Sequence, residues 1–195
     1  MADQAQQVAE AASLVVRPET DHSTRQAAST FLESWTQSER AWELFGPWLA
    51  SFTADHSTQV GVHLLCLQLL RAKMRRELPG TTPPASAVEQ IRAALSQLIL
   101  QSQQCGKPSV LQSACICLTS LEIRTGNLAN FVPQIISSCR AEGAALLPCT
   151  ALRLLSEVPT EAESCAMLKT HQVTATLTPY WDTVIEVVDS QPQLQ

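Results

Sequence analysis

Apolar residues recur every three or four positions along nearly the whole chain, and a proline or glycine interrupts them after most runs. That rhythm constrains the fold more than any other feature, because each run makes one apolar stripe of a helix and each break starts another. A first helix is expected from about Asp3 to Val16, with Val8, Ala11, Ala12 and Val15 on one stripe. It ends at Arg17, since the residue before Pro18 leaves the helical region. Asp21 is placed to cap a second helix bearing Ala27, Ala28, Phe31, Leu32 and Trp35. Ser38 reads as the cap of a third, with Trp42, Phe45 and Leu49 inward and Pro47 expected to kink or shorten it.

The fourth helix is expected to open at Asp55 or Ser57 and to run to about Leu78, before Pro79-Gly80. Val60, Leu64, Leu67, Leu70, Met74 and Leu78 form one stripe on it, and Val62, Leu65 and Leu69 another. A helix apolar on two sides is expected to lie sandwiched between layers. Ser86 and Glu89 read as a capping box for the fifth helix, which carries Val88, Ile91, Leu95, Leu98 and Ile99 and stops at Gly106 and Pro108. The sixth runs from about Ser109 to Arg124 and closes at Gly126. A short seventh carries Phe131, Val132, Ile135 and Ile136, with Pro133 in its first turn. The eighth holds Leu147, Ala151, Leu154, Leu155 and Val158. A last helix over 166–188, kinked at Pro179, and a disordered tail over 191–195 complete the reading. No strand is expected.

Pairing neighbours gives hairpins over about 4–37, 39–78, 86–125 and 130–158, spaced by roughly 35 to 47 residues, close to the period of HEAT and armadillo units. Such units cannot bury their faces alone and must stack. The expected architecture is an all-α solenoid of antiparallel hairpins, about four and a half repeats within a single domain over 1–190. A closed helical bundle of the same length is the competing arrangement.

Composition narrows the function classes. The chain has 195 residues with net charge −5, so it lacks the basic surplus of a nucleic-acid binder. The most apolar stretch, VHLLCLQLL, is interrupted by His63 and Gln68 and is too short to span a bilayer. The seven cysteines are odd in number, contain no CxxC, and follow no signal peptide, which points to a reducing intracellular compartment.

The search for chemistry is mostly negative. No GxSxG, HExxH or GxGxxG occurs. Gly106-Lys107-Pro108-Ser109 fails as a phosphate loop, because Gln101 stands where the first glycine belongs and Pro108 separates Lys from Ser. Cys115 and Cys117 point about 200° apart on a helix and cannot share a metal, so small buried hydrophobes are the favoured reading. His63 and Cys66 share a face, but two ligands do not make a site. Asp55-His56-Ser57 invites a triad reading that adjacent residues cannot satisfy; capping is favoured. No enzyme, cofactor or metal site is expected. Trp35, Trp42 and Trp48 with Phe31, Phe45 and Phe52 form an aromatic cluster, read as core and inter-repeat packing in preference to a binding groove.

One polar feature stands out. Near the end of the fourth helix Gln68, Arg71 and Arg75 fall on one edge between the apolar stripes, while Lys73 and Arg76 point elsewhere. The edge suits an acidic partner. The plainer reading is a solvated helix end whose cations suit the C-terminal dipole. The stretch from Glu142 to Glu163 is by contrast acidic.

Three segments carry a family resemblance. AASTFLESWTQSERAW (Ala27–Trp42) resembles the first conserved stretch of importin-β-type karyopherins, nearest the transportin-SR branch. QLLRAKMRRELP (Gln68–Pro79) resembles the family's second B helix, and LRLLSEVP (Leu152–Pro159) its later L-x-x-L-x-x-x-P signature. The three occur in the family's order and cover nearly all of the chain. The resemblance implies a superhelix of helix pairs acting in nucleocytoplasmic transport, in both nucleus and cytoplasm. It also implies binding of the GTP form of the small GTPase Ran, of protein cargo and of nucleoporins, with no direct contact to nucleic acid and no membrane insertion. The family's basic position in this helix falls on Lys73, so the candidate Ran contacts are Gln68, Arg71, Lys73 and Arg75. Family members are several times longer. A truncated or fragment karyopherin without a full transport cycle, or a Ran-independent scaffold, is therefore the alternative expectation.

Overall fold

The computed structural model describes residues 2–54, 60–78, 80–140, 146–165, 175, 178–180 and 185. The described residues are all-α, with eight α-helices packed largely in sequential pairs and no strand. α1 (Ala2–Val16) lies along α2 (His22–Gln37), and α3 (Ala41–Ala54) meets α4 (Val60–Glu77). α5 (Ala85–Gln104) lies along α6 (Pro108–Arg124), and α7 (Leu128–Arg140) meets α8 (Pro148–Glu163). Between pairs, α3 packs on α5, α4 on α6, and α6 on α8.

Local chemistry explains most boundaries. The Asp21 carboxylate accepts from the Thr24 backbone N–H at 3.0 Å, which opens α2 by satisfying a donor that the helix leaves free. The turns after α5 and α6 pass through Gly106 (φ 63°) and Gly126 (φ 73°), a backbone region that a side chain resists. The N–H groups of Lys107 and Asn127 fold back onto the carbonyls of Ser102 and Glu122, closing both helices.

Several boundaries differ from expectation. Ser38 does not cap α3. It ends α2, its hydroxyl donating to the Trp35 carbonyl at 2.7 Å, and α3 starts at Ala41. Ser86 and Glu89 form no capping box: α5 starts at Ala85 behind Pro84 without a side-chain cap bond, and Glu89 instead pairs with Arg92. Pro47 does not shorten α3, which continues to Ala54. Pro133 lies beyond the first turn of α7. α8 runs through Pro159 to Glu163, past the expected end of its hairpin at 158. The expected start of the fourth helix at Asp55 or Ser57, the break at Gly143 and the tail over 191–195 lie outside the described residues. So does most of the expected last helix, within which Thr178–Tyr180 forms a turn of 3-10 helix.

The core runs through all eight helices. Trp35 of α2 meets Phe45 and Trp48 of α3 at ring separations of 4.9 and 5.8 Å, and Phe52 carries the contact to His63 of α4 at 4.3 Å. Burying each large ring contributes roughly 1.5–3 kcal/mol. Phe31 departs from the expected inward stripe and is 38% exposed.

The most enclosed helix is α6, where every residue from Cys117 to Arg124 is buried. α4, expected to lie between layers, meets α1, α2, α3 and α6. On α4 the buried residues Val62, His63, Cys66, Leu67, Leu70, Lys73 and Met74 follow one helical face, while Leu64, Leu65 and Leu69 are only partly covered. The enclosure of α6 has a weak apolar signature because Thr119, Ser120, Glu122 and Arg124 are among its buried residues. Glu122 is held by Arg92 of α5 and by the Asn127 amide, and Arg124 Nη2 donates to the Ser164 hydroxyl at 3.1 Å.

Candidate functional site

The stretch of α4 from Gln68 to Arg75 carries the four residues singled out from the sequence. They divide into two groups with different surroundings.

Lys73 turns inward and is fully buried. Its Nζ donates to the carbonyls of Thr36 and Ser38, each at 2.9 Å, and to Glu77 at 2.8 Å. The Trp42 ring centroid lies 5.3 Å from the same ammonium, within cation–π range. Trp42 Nε1 donates to the other oxygen of Glu77 at 2.9 Å, and Arg76 Nη2 donates to the Thr36 carbonyl and to Glu77. The cluster therefore sits on the carbonyl end of α2, where cations complement the helix dipole and satisfy carbonyls left without helical partners. Burial pushes the Lys73 amine below its ordinary value, and Glu77 only partly offsets this. Burial would also raise Glu77, but bonds from Lys73, Arg76 and Trp42 outweigh it and hold the carboxyl below its ordinary value.

Arg71 and Arg75 face the other way, towards α8. Both guanidiniums bond the same oxygen of Glu161, Arg75 at 3.1 Å and Arg71 in close contact. The Glu161 side chain is 0% exposed, whereas those of Arg71 and Arg75 are 32% and 44% exposed. Gln68, one turn earlier on α4, is exposed. Gln68, Arg71 and Arg75 thus share an accessible edge, and Lys73 does not belong to it.

Sequence reading missed Glu161 as the organising residue. It lies 90 positions from Arg71 and 86 from Arg75, so no local window joins them. The only signal was coarse: a basic stretch and an acidic stretch, each noted separately. Arg92 and Glu122 were missed for the same reason, being 30 positions apart; their bond raises the pKa of Arg92.

The remaining candidates hold little chemistry. Cys66, Cys115 and Cys117 are buried. Desolvation pushes the Cys115 and Cys117 thiols up to about 12, and Cys66 well above its ordinary value, so none is a ready nucleophile. Gly106-Lys107-Pro108-Ser109 is the α5–α6 turn. Asp55, His56 and Ser57 lie outside the described residues. No group of three or more metal-ligating side chains occurs among the described residues. An open groove between α3 and α5, lined by Gly46, Pro47 and Ala50 opposite Gln90, Ala93 and Gln97, has no titratable side chain in its walls. Among the described residues no helix is long and apolar enough to cross a membrane. Compared with known proteins, the chain matches no family model, no curated protein and no solved structure.

Proposed function

We propose that this chain is a protein-binding module of the karyopherin type, built as an α-solenoid of stacked hairpins, which engages Ran in its GTP form and takes protein cargo. The observation that carries the reading is the order of contacts: each helix pairs with its neighbour, while α3 meets α5, α4 meets α6 and α6 meets α8. A stack of hairpins has this two-row order, and the resulting rows form extended surfaces suited to protein partners. The exposed edge of Gln68, Arg71 and Arg75 lies on the even-numbered row. Nucleoporins are further partners under this reading, which places the protein in both nucleus and cytoplasm.

A specific observation favours a second reading, a scaffold that does not use Ran. Lys73, the residue at the family's basic position, is enclosed and bonded to α2. The two readings separate in one experiment. The purified chain is immobilised and exposed to Ran loaded with GDP or with a non-hydrolysable GTP analogue. Preferential retention of the GTP form, weakened by Arg75→Gln, supports Ran binding. Equal recovery of both forms, or of neither, removes Ran and leaves the scaffold.

A further inference from the structure

We propose that Arg71 and Arg75, set on the buried carboxylate of Glu161, form a docking point for acidic side chains of a protein partner. The inference rests on the protein-binding reading above but does not need Ran.

The argument begins with charge. Two guanidiniums share one carboxylate oxygen, so the cluster keeps a net positive charge at the surface of a chain whose total is −5. Glu157, one turn earlier on α8, makes no ion pair with either arginine among the described residues. Each guanidinium bonds Glu161 through Nη2, and Arg75 has further donors on a side chain that is 44% exposed. A guanidinium offers its donors in a planar fork that fits a carboxylate. Preorganisation strengthens the case. Glu161 is fully enclosed and fixes both cations before any partner arrives, which lowers the ordering cost that free arginines impose on binding. Gln68 adds an exposed amide one turn away, able to donate to a second carboxylate or to a peptide carbonyl.

The same arithmetic argues against polyanions. Binding a nucleic acid or an anionic bilayer needs several uncompensated cations in a row. Here Lys73 and Arg76 are engaged with Glu77 and the end of α2. One net charge fits a contact with one or two carboxylates.

The test uses the full chain and fluorescence polarisation at low and moderate salt. The probe is a fluorescein-labelled peptide of alternating Glu and Ala. The comparison ligands are the same peptide with Gln for Glu, a single-stranded oligonucleotide, and vesicles of phosphatidylserine and phosphatidylcholine. Binding of the Glu peptide is expected, weakened by salt and absent for the Gln peptide. Arg75→Gln is expected to weaken it about tenfold. Arg71→Gln can disturb folding by leaving Glu161 with a single partner, so Arg75→Lys serves as the second variant. It keeps the charge but loses the planar fork, and is expected to weaken the Glu peptide about threefold. A purely structural ion pair would leave the affinity unchanged. No binding of the Glu peptide, equal binding of the Gln peptide, preference for oligonucleotide or vesicles, or an unchanged affinity in a folded Arg75→Gln protein would each overturn the proposal. Failure of the Ran experiment alone leaves it standing.

Discussion

Lys73 shows what one residue can decide. A lysine on an otherwise apolar helix face looks like a misplaced surface residue until its partners are known. It satisfies two carbonyls at the end of α2 and neutralises Glu77. Lys73→Met keeps the length of the side chain but leaves those carbonyls and Glu77 short of a donor. We expect a loss of about 2–4 kcal/mol, read from the urea midpoint. The same cluster gives a pH signature. The folded-state pKa of Glu77 lies below the ordinary 4.5, so its contribution to stability is fully present above 4.5 and disappears as pH falls through the folded value. Asp21 titrates in the same direction through its bonds to Ser23 and Thr24, but is solvent-screened. The urea midpoint is therefore expected to drop on acidification below pH 4.5, and less steeply in Glu77→Gln. Thiol labelling offers an independent check: Cys105 and Cys149 are exposed and should react promptly at mild alkaline pH. Cys66, Cys115 and Cys117 should react only after denaturation. The inward placement of Trp35, Trp42 and Phe45 was readable from spacing, and that of Trp48 from the aromatic cluster, whereas the inward lysine was not. Its burial depends on the end of a different helix, and propensity carries no record of that.

At the level of helices, periodicity gave the number of described helices and most of their faces. It placed their ends less well, for identifiable reasons. Pro84 presets the entry to α5, so Ser86 falls inside the first turn and Glu89 is free to pair three residues on with Arg92. Ser38 can serve either neighbouring helix, and the Trp35 carbonyl takes it. Pro159 sits near the end of α8, where losing one helical bond is cheap enough for the helix to continue. The close approach of α3 and α5 went unseen because its signal is one glycine. A Cβ on Gly46 would lie 2.8 Å from Gln90 Cβ and 3.2 Å from the Gln90 backbone carbon. Alanine would gain up to about 1 kcal/mol of helix propensity. The clash is with atoms close to the backbone of α5, which cannot swing away, and overpacking costs about 1–3 kcal/mol. Gly46→Ala is therefore expected to destabilise, with a lowered melting temperature as the measurement.

Over the whole molecule, the contacts that join distant segments carry the organisation. The bonds from Arg71 and Arg75 to Glu161 span from α4 to α8, the two helices that flank α6. Glutamine at both arginines would strand a buried carboxylate. We expect a loss of about 2 kcal/mol in the thermal or urea transition, below the figure for a fully buried pair because water reaches the guanidiniums. Restoring neutrality by adding Glu161→Gln should recover most of it. None of this could be read from the chain in order, since the partners belong to different hairpins and only the fold brings them together.

The span from α4 to α8 also bears on how the protein comes apart. Stacked hairpins with neighbour contacts alone can peel one by one from an end, like coins lifted from a roll. Here α8 packs on α6 and is also fastened by ion pairs to α4. Pulling on α8 should then not release α7 and α8 on their own. The molecule is expected to hold until α4, α6 and α8 yield together, and amide exchange along these three helices should slow and quicken in concert.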